Sequence, residues 1–398
     1  MTGQTGGRSV ARSTEVARST EKHAALKTKL EAEPETELET ELARRGRRQL
    51  PRIGAHISTA GGFAPVPDRA VALGAEAVQI FNSNPRTWRT RPVAPDEMMA
   101  LVSGLQKHHL PLFFHTIYLI NLATPDEGLR TRSSLSLAHA LVTGSLAGAA
   151  WVVTHVGSHK GEGFEAAIEL VITAIRAAED AAWEALAAQS PTAQSPTAPR
   201  SPTGLPPLLL ETTAGAGALV GKSLGELSTL LEALAHARAH QKSRSSSATE
   251  PIEQPLDLGL CLDTAHLFAA GYPIHEEAGL ESLIAELEQS QLLSKVGLIH
   301  LNDSAAPFAS NRDRHANPGE GFIGYDGLAR VVRHPALARI PFVLEVPGAE
   351  GHGPDADNVA LVKAMRAGTP RRPKGSGATT RPAEPGAPSQ PEAPAPGG

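Results

Sequence analysis

Asp313 and His315 stand two positions apart in "NRDRHANPGEG" (311–321), flanked by Arg312 and Arg314, in a stretch that Pro318, Gly319 and Gly321 mark as a loop. A carboxylate and an imidazole on alternate residues suit metal ligation, but an ion of about four ligands needs partners from elsewhere. Taken alone, the pair reads more readily as ordinary loop polarity. Further candidates recur at the ends of short apolar runs. "RIGAHIS" (52–58) ends in His56, "PLFFHT" (111–116) in His115, and "AAWVVTHVG" (149–157) in His155. "PPLLLETT" (206–213) ends in Glu211, "LGLCLDTAH" (258–266) in Asp263 with His266, "VGLIHLND" (296–303) in His300, and "IPFVLEVP" (340–347) in Glu345. One His at a strand end is ordinarily a satisfied rim residue. Seven such ends among eight runs imply a shared positive centre, because buried carboxylates are costly unless paired. Imidazole and carboxylate without a clustered thiolate suit Zn or Mn better than an iron–sulfur cluster or Mg alone. Four carboxylates and at least five imidazoles exceed the coordination of one ion, so two or three ions are expected.

The elements that must carry these residues are legible in the same runs. With "AEAVQIFN" (75–82) they number eight, each nearly continuous in apolar residues, as parallel strands buried on both faces should be. Helical spacing lies between them, as in "LRTRSSLSLAHALVTGSLAG" and "FEAAIELVITAIRAAEDAAWEALAA". Eight strand–helix units predict an α/β fold, a single-domain (β/α)8 TIM barrel over residues 50–368, with the polar strand ends converging on its C-terminal face. A doubly wound open sheet is the rival, but no Gly-rich dinucleotide fingerprint follows the first run. Residues 1–49, with "EAEPETELETELARRGRR", and the Pro/Gly/Ala-rich residues 369–398 are expected to be disordered tails. Stretches 188–204, with its repeated Ser-Pro-Thr, and 240–255 read as flexible loop insertions.

Composition narrows the partners. The chain of 398 residues carries a formal net charge of −5, and both tails are slightly basic, so the central segment is the more acidic part. That is not the basic footprint of a typical nucleic-acid binder, and any such partner requires a local source of positive charge. No apolar run approaches the length of a membrane span, and the N-terminus lacks the apolar core of a signal peptide. A single cysteine, Cys261, excludes an intrachain disulfide and fits a reducing cytoplasm; it reads as a small buried hydrophobe.

The motifs resemble the bacterial endonuclease IV family, the zinc-dependent apurinic/apyrimidinic (AP) endonucleases. The similarity runs from about Ile53 to Glu345 through "GAHISTAGG", "FNSNPRTW", "HTIYLINLATP", "THVGSH", "LLLETTAGAG", "CLDTAHLFAAGY", "HLNDS", "NRDRHANPGEGFIG" and "LEVP". It implies nine metal ligands: His115, His155, Glu211, Asp263, His266, His300, Asp313, His315 and Glu345. Three Zn2+ ions are implied, with Mn2+ as an alternative at one site. His115 and His155 would hold one, sharing Glu211 with a second that Asp263, His300 and Glu345 complete; His266, Asp313 and His315 would hold the third. Glu211 and Glu345 are the implied catalytic residues, and Arg86, Tyr118 and Leu119 the DNA-binding ones. His56 and His159 are expected in supporting roles. The implied activity is DNA repair: hydrolysis of the phosphodiester 5′ to an abasic site in double-stranded DNA, leaving a 3′-hydroxyl and a 5′-deoxyribose phosphate. The implied setting is the bacterial cytoplasm, without membrane attachment, as a monomer. "ETTAGAG" departs from the family's more usual Glu-Asn-Thr, which touches the surroundings of the ligands. A sugar isomerase or epimerase on the same barrel, and a non-catalytic metal- or DNA-binding scaffold, are the competing readings.

Overall fold

Strands rich in Val, Leu, Ile and Phe with no polar face need cover on both sides, and a closed parallel barrel supplies it. In the computed structural model, which describes residues 50–90, 92–189, 204–244 and 256–370, eight strands close in this way. They are β1 (Ile53–His56), β2 (Val78–Phe81), β3 (Leu112–His115), β4 (Trp151–Thr154), β5 (Leu208–Glu211), β6 (Leu258–Asp263), β7 (Val296–His300) and β10 (Phe342–Leu344). The ring runs β1-β10-β7-β6-β5-β4-β3-β2, every pair parallel. A two-stranded antiparallel ladder, β8 (Asp303–Ser304) with β9 (His315–Ala316), lies in the loop after β7. The fold is the predicted TIM barrel.

Side chains alternate across a strand, so each barrel strand feeds two cores. Ile53, Ile80, Phe114, Val152, Leu208, Leu210, Leu260, Ile299 and Phe342 belong to the larger one, with the apolar residues of the surrounding helices. Phe113, Val153, Leu209, Cys261, Leu298 and Val343, one from each of six strands, form a separate buried layer with Ala77, the residue just before β2. Cys261 is fully buried there, as its apolar run predicts. Around β7 the register with β6 steps by one residue: Leu260 pairs with Val296, Cys261 with Leu298, and Asp263 with His300. Gly297 sits at that bulge, where a Cβ would lie 2.7 Å from the Trp151 ring, so only glycine fits. The step sets His300 beside Asp263.

At the opposite end, Glu76 accepts from Ile53 N (2.9 Å) and pairs with Arg366 (2.6 Å) and Lys363 (3.1 Å) of the helix Ala356–Arg366, tying the last helix to the first strand. The helix Phe164–Gln189 runs into the first expected insertion, and Leu224–Arg244 runs five residues into the second. The remainder of both insertions, residues 190–203 and 245–255, lies outside the described residues, as do the tails 1–49 and 371–398. No helix among the described residues is long and apolar enough to cross a membrane.

Candidate metal centre

Two residues beyond each member of the inner layer, a side chain returns to the barrel interior. From Phe113, Val153, Leu209, Cys261, Leu298 and Val343 this step reaches His115, His155, Glu211, Asp263, His300 and Glu345. From Ala77 it reaches Gln79, which is fully buried. The polar strand ends are thus one tier of the barrel, resting on an apolar floor.

Within the tier, donor atoms approach closely enough to share ions. His115, His155 and Glu211 form one group, Glu211, Asp263, His300 and Glu345 a second, and Asp263, His266 and His315 a third, with the atoms of each group within 4.8 Å of one another. Asp313 adds to the third from the rim, its two oxygens 3.2 Å from His266 Nε2 and 3.3 Å from His315 Nε2. All nine residues named from sequence therefore converge. The geometry differs from expectation in one respect: Asp263 stands between the second and third groups and touches both.

The hydrogen bonds determine what the inward-facing nitrogens can do. His115 Nδ1–H donates to Thr116 O (2.7 Å), His266 Nδ1–H to Thr212 O (2.9 Å) and His315 Nδ1–H to Glu345 O (3.2 Å). In a neutral imidazole this leaves a lone pair on each Nε2. Those lone pairs face Glu211 Oε2 at 3.0 Å from His115, Asp313 Oδ2 at 3.2 Å from His266, and Asp263 Oδ2 at 3.5 Å from His315. His315 Nε2 is buried and has no hydrogen-bond partner. Lone pairs facing carboxylate oxygens repel unless positive charge lies between them. The titration behaviour expresses the same demand. Burial opposes a charged imidazole, yet the surrounding carboxylates push His266 up to about 10, and Cys261 with Glu345 and Glu211 raises His300 well above its ordinary value. Although burial opposes ionisation, neighbouring imidazoles hold Glu211 well below the usual carboxylate range, and Asp313 down to about 2. The donor set fits divalent metal ions of the Zn2+ or Mn2+ type. Burial pushes the Cys261 thiol beneath it up to about 12, so near neutral pH it is a protonated filler.

Asp313 and His315 reach the centre because their loop is folded back. In the β8–β9 ladder Ser304 is opposite His315, which turns the imidazole inward. The return leg is gathered by Asp303, fully buried, whose carboxylate accepts from the backbone N–H groups of Ser304, Gly319, Gly321, Ile323 and Gly324 at 2.8–3.2 Å. A Cβ on Gly321 would lie 2.6 Å from that carboxylate, so glycine is required there. Asp263 is fixed as firmly: Oδ1 accepts from His266 N (2.9 Å), capping the helix Thr264–Ala270, and Oδ2 accepts from Asn302 Nδ2 (2.6 Å).

Above the tier, Tyr118 is 57% exposed and stands edge-on to Phe81, ring centroids 5.2 Å apart, and over His115 at 6.0 Å. Its backbone N–H donates to Pro85 O (3.0 Å), which joins the Tyr118–Leu119 loop to the loop carrying Arg86. Arg86 is exposed and Leu119 half-buried on the same rim. His56 meets Glu345 at 3.3 Å, and His159 Nδ1 accepts from Gly161 N and Gly163 N in its own loop, away from the donors. Sequence reasoning missed Gln79 and Asp303. An amide is not a metal ligand of choice, and Asp303 acts only through a closed loop; the two-residue step from the apolar layer was the signal for Gln79.

Comparison with known proteins agrees with this architecture. The family described as xylose isomerase-like TIM barrel matches residues 67–367. "Probable endonuclease 4" of Halothermothrix orenii is 35% identical over 313 residues, covering 78% of this chain and 99% of the relative; the protein of the same name from Chloroflexus aurantiacus is 33% identical over 317 residues, covering 79% and 98%. The crystal structure of endonuclease IV from Thermus thermophilus aligns with a TM-score of 0.62 at 32% identity, covering 80% of this chain and all of that one. A zinc-binding IOLI protein shares the fold alone, at 14% identity and a TM-score of 0.51 over 80% of this chain and 97% of its own. The chain belongs to the endonuclease IV family of xylose isomerase-like TIM barrels.

Proposed function

We propose that this protein is a DNA-repair AP endonuclease, hydrolysing the phosphodiester 5′ to abasic sites in duplex DNA to give a 3′-hydroxyl and a 5′-deoxyribose phosphate. The observation that carries the reading is the corner formed by His266, Asp313 and His315, joined to the strand-end donors around Glu211. Glu211, Asp263, His300 and Glu345 alone would equally serve a sugar isomerase of this barrel class. The added corner supplies a third group of donors, and the relatives named endonuclease 4 favour DNA as substrate.

In this reading His115 and His155 with Glu211, then Glu211, Asp263, His300 and Glu345, then His266, Asp313 and His315 would hold three zinc ions, with manganese an alternative at one. When bound, such ions bring the pKa of water toward neutrality and offset the charge of a phosphate. They also answer the sign problem of an acidic chain acting on a polyanion: the positive field is local to the barrel mouth. Glu211, between two groups, has one oxygen 3.0 Å from His115 and the other 2.9 Å from His300, so it couples them. Glu345 has Oε1 engaged by Gln79, with His56 Nδ1 3.3 Å away, and Oε2 turned inward, 3.2 Å from His300; this oxygen orients and takes a proton from the attacking water. Tyr118, Leu119 and Arg86 fill the gap left by an extruded abasic nucleotide, whose extrusion costs least because no base is stacked there.

The test is incision of a duplex oligonucleotide carrying one tetrahydrofuran abasic analogue, with the ends of the product mapped, beside an epimerase assay on common ketohexoses. Incision 5′ to the analogue, with a 3′-hydroxyl that a polymerase extends, is expected. Sugar turnover without incision would return the chain to the isomerase reading.

A further inference from the structure

Gln79 is the interior strand-end residue that is neither acid nor imidazole, and it bonds to three of its neighbours in the tier. Its Oε1 accepts from His300 Nε2 at 2.8 Å. Its Nε2 donates to Glu345 Oε1 at 2.5 Å and to His56 Nδ1 at 3.0 Å. The orientation of the amide follows from chemistry: turned over, its carbonyl oxygen would face the Glu345 carboxylate, acceptor against acceptor.

This has a consequence for His300. His115, His266 and His315 each place the outward proton on Nδ1, against a main-chain carbonyl, and turn Nε2 to the centre. His300 is reversed. Its proton is held on Nε2 by a side chain, and Nδ1 faces Glu211 Oε1 at 2.9 Å and Glu345 Oε2 at 3.2 Å. A main-chain acceptor is built into the strand, whereas this one exists only because residue 79 is Gln. The same amide occupies Glu345 Oε1 and leaves Oε2 for the centre.

We propose that Gln79 is a positioning residue of the metal centre, which selects the His300 tautomer presenting Nδ1 and sets the rotation of the Glu345 carboxylate. The proposal rests on the metal-centre reading above. It assigns the second strand, which carries no candidate ligand, the task of orienting ligands from the seventh and eighth barrel strands. Partners of this kind orient ligands and typically change metal affinity 10–100-fold when removed.

Two variants separate the contacts. Gln79→Met keeps length and removes every hydrogen bond; Gln79→Glu keeps an acceptor for His300 and loses the donor to Glu345. Parent and variants, loaded with zinc, are challenged with excess chelator while zinc release is followed, and 15N-histidine-labelled samples report which ring nitrogen of each imidazole carries the proton. Gln79→Met is expected to release part of its zinc about 10–100 times faster than the parent and to lose the one Nδ1-coordinated histidine pattern. Gln79→Glu should keep that pattern and still release zinc faster, because a second carboxylate then faces Glu345. Parent-like release with an unchanged histidine pattern in Gln79→Met overturns the proposal. If Gln79→Met does not fold, parent-like release from Gln79→Glu overturns it. A parent protein that takes up no zinc overturns the metal-centre reading itself, an outcome distinct from the other two.

Discussion

Replacing Asp303 with Asn should detach the loop that carries Asp313 and His315 while leaving the barrel folded. Asp303 Oδ1 accepts from Ser304, Ile323 and Gly324, and Oδ2 from Gly319, Gly321 and, at 3.2 Å, Gly324 again. Burial pushes the carboxyl pKa up, and the N–H donors on both oxygens oppose that rise. Asn keeps one acceptor oxygen and presents an NH2 group where Oδ2 received Gly319 and Gly321. At least two hydrogen bonds to a charged acceptor are lost, each worth about 1.5–3 kcal/mol, so the loop loses roughly 3–6 kcal/mol of local order. The barrel layers touch none of these bonds, so the loss should appear as local opening. Hydrogen exchange at the Gly319 and Gly321 amides should accelerate by two orders of magnitude or more, about 1.4 kcal/mol corresponding to each factor of ten. Amides of the β5 and β6 strands should keep their protection, and zinc bound through His266, Asp313 and His315 should be lost. Unchanged protection at Gly319 and Gly321 would refute the claim that this carboxylate holds the loop.

Arg86→Ala and Tyr118→Ala should each weaken capture of abasic duplex by about tenfold without lowering the melting temperature, as removal of an exposed base-stacking or phosphate-contacting side chain does; parent-like incision by both at subsaturating substrate removes them from the interface. The double change Asp313→Ala with His315→Ala should cost about one equivalent of zinc and slow incision by roughly 10²–10³ or more while the barrel still folds, the scale for losing a stabiliser of developing charge; full metal content with normal turnover would return the loop to ordinary polarity. Arg366 and Lys363 hold Glu76 down to about 2 against its burial, so its stabilisation is complete above its ordinary value near 4.5 and lost as pH falls through about 2. Glu76→Gln should therefore cost about 1 kcal/mol in urea melts at neutral pH, a figure reduced for its partial exposure, and the gap should narrow below about pH 4; a gap that widens on acidification contradicts the assignment.

Much of the barrel was legible because strands buried on both faces have no room for alternation, and a His or Glu closing such a run stands out. The inward pair Leu209 and Glu211 on β5 shows the pattern at its plainest. What escaped depended on relations that no single run contains. Gln79 looks like a tolerated polar residue in "AEAVQIFN" until the ring of strands sets it beside His300 and Glu345. Asp303, in "HLNDS", gains its role only when Gly319–Gly324 return to it across a loop. The helix Leu224–Arg244 outlasts the apolar pattern of its sequence because Gln, Lys and Arg, the types at 241, 242 and 244, are good helix formers in their own right.

The central claim is that these convergent side chains hold a multinuclear metal centre on which DNA incision depends. Protein stripped by a strong chelator and then titrated with zinc tests it directly, with bound zinc and incision of abasic duplex measured on the same samples. Binding of two to three equivalents is expected, with incision absent from the stripped protein and recovered only as the later equivalents bind. Full incision at one equivalent or fewer, or incision that survives complete stripping, would contradict the account.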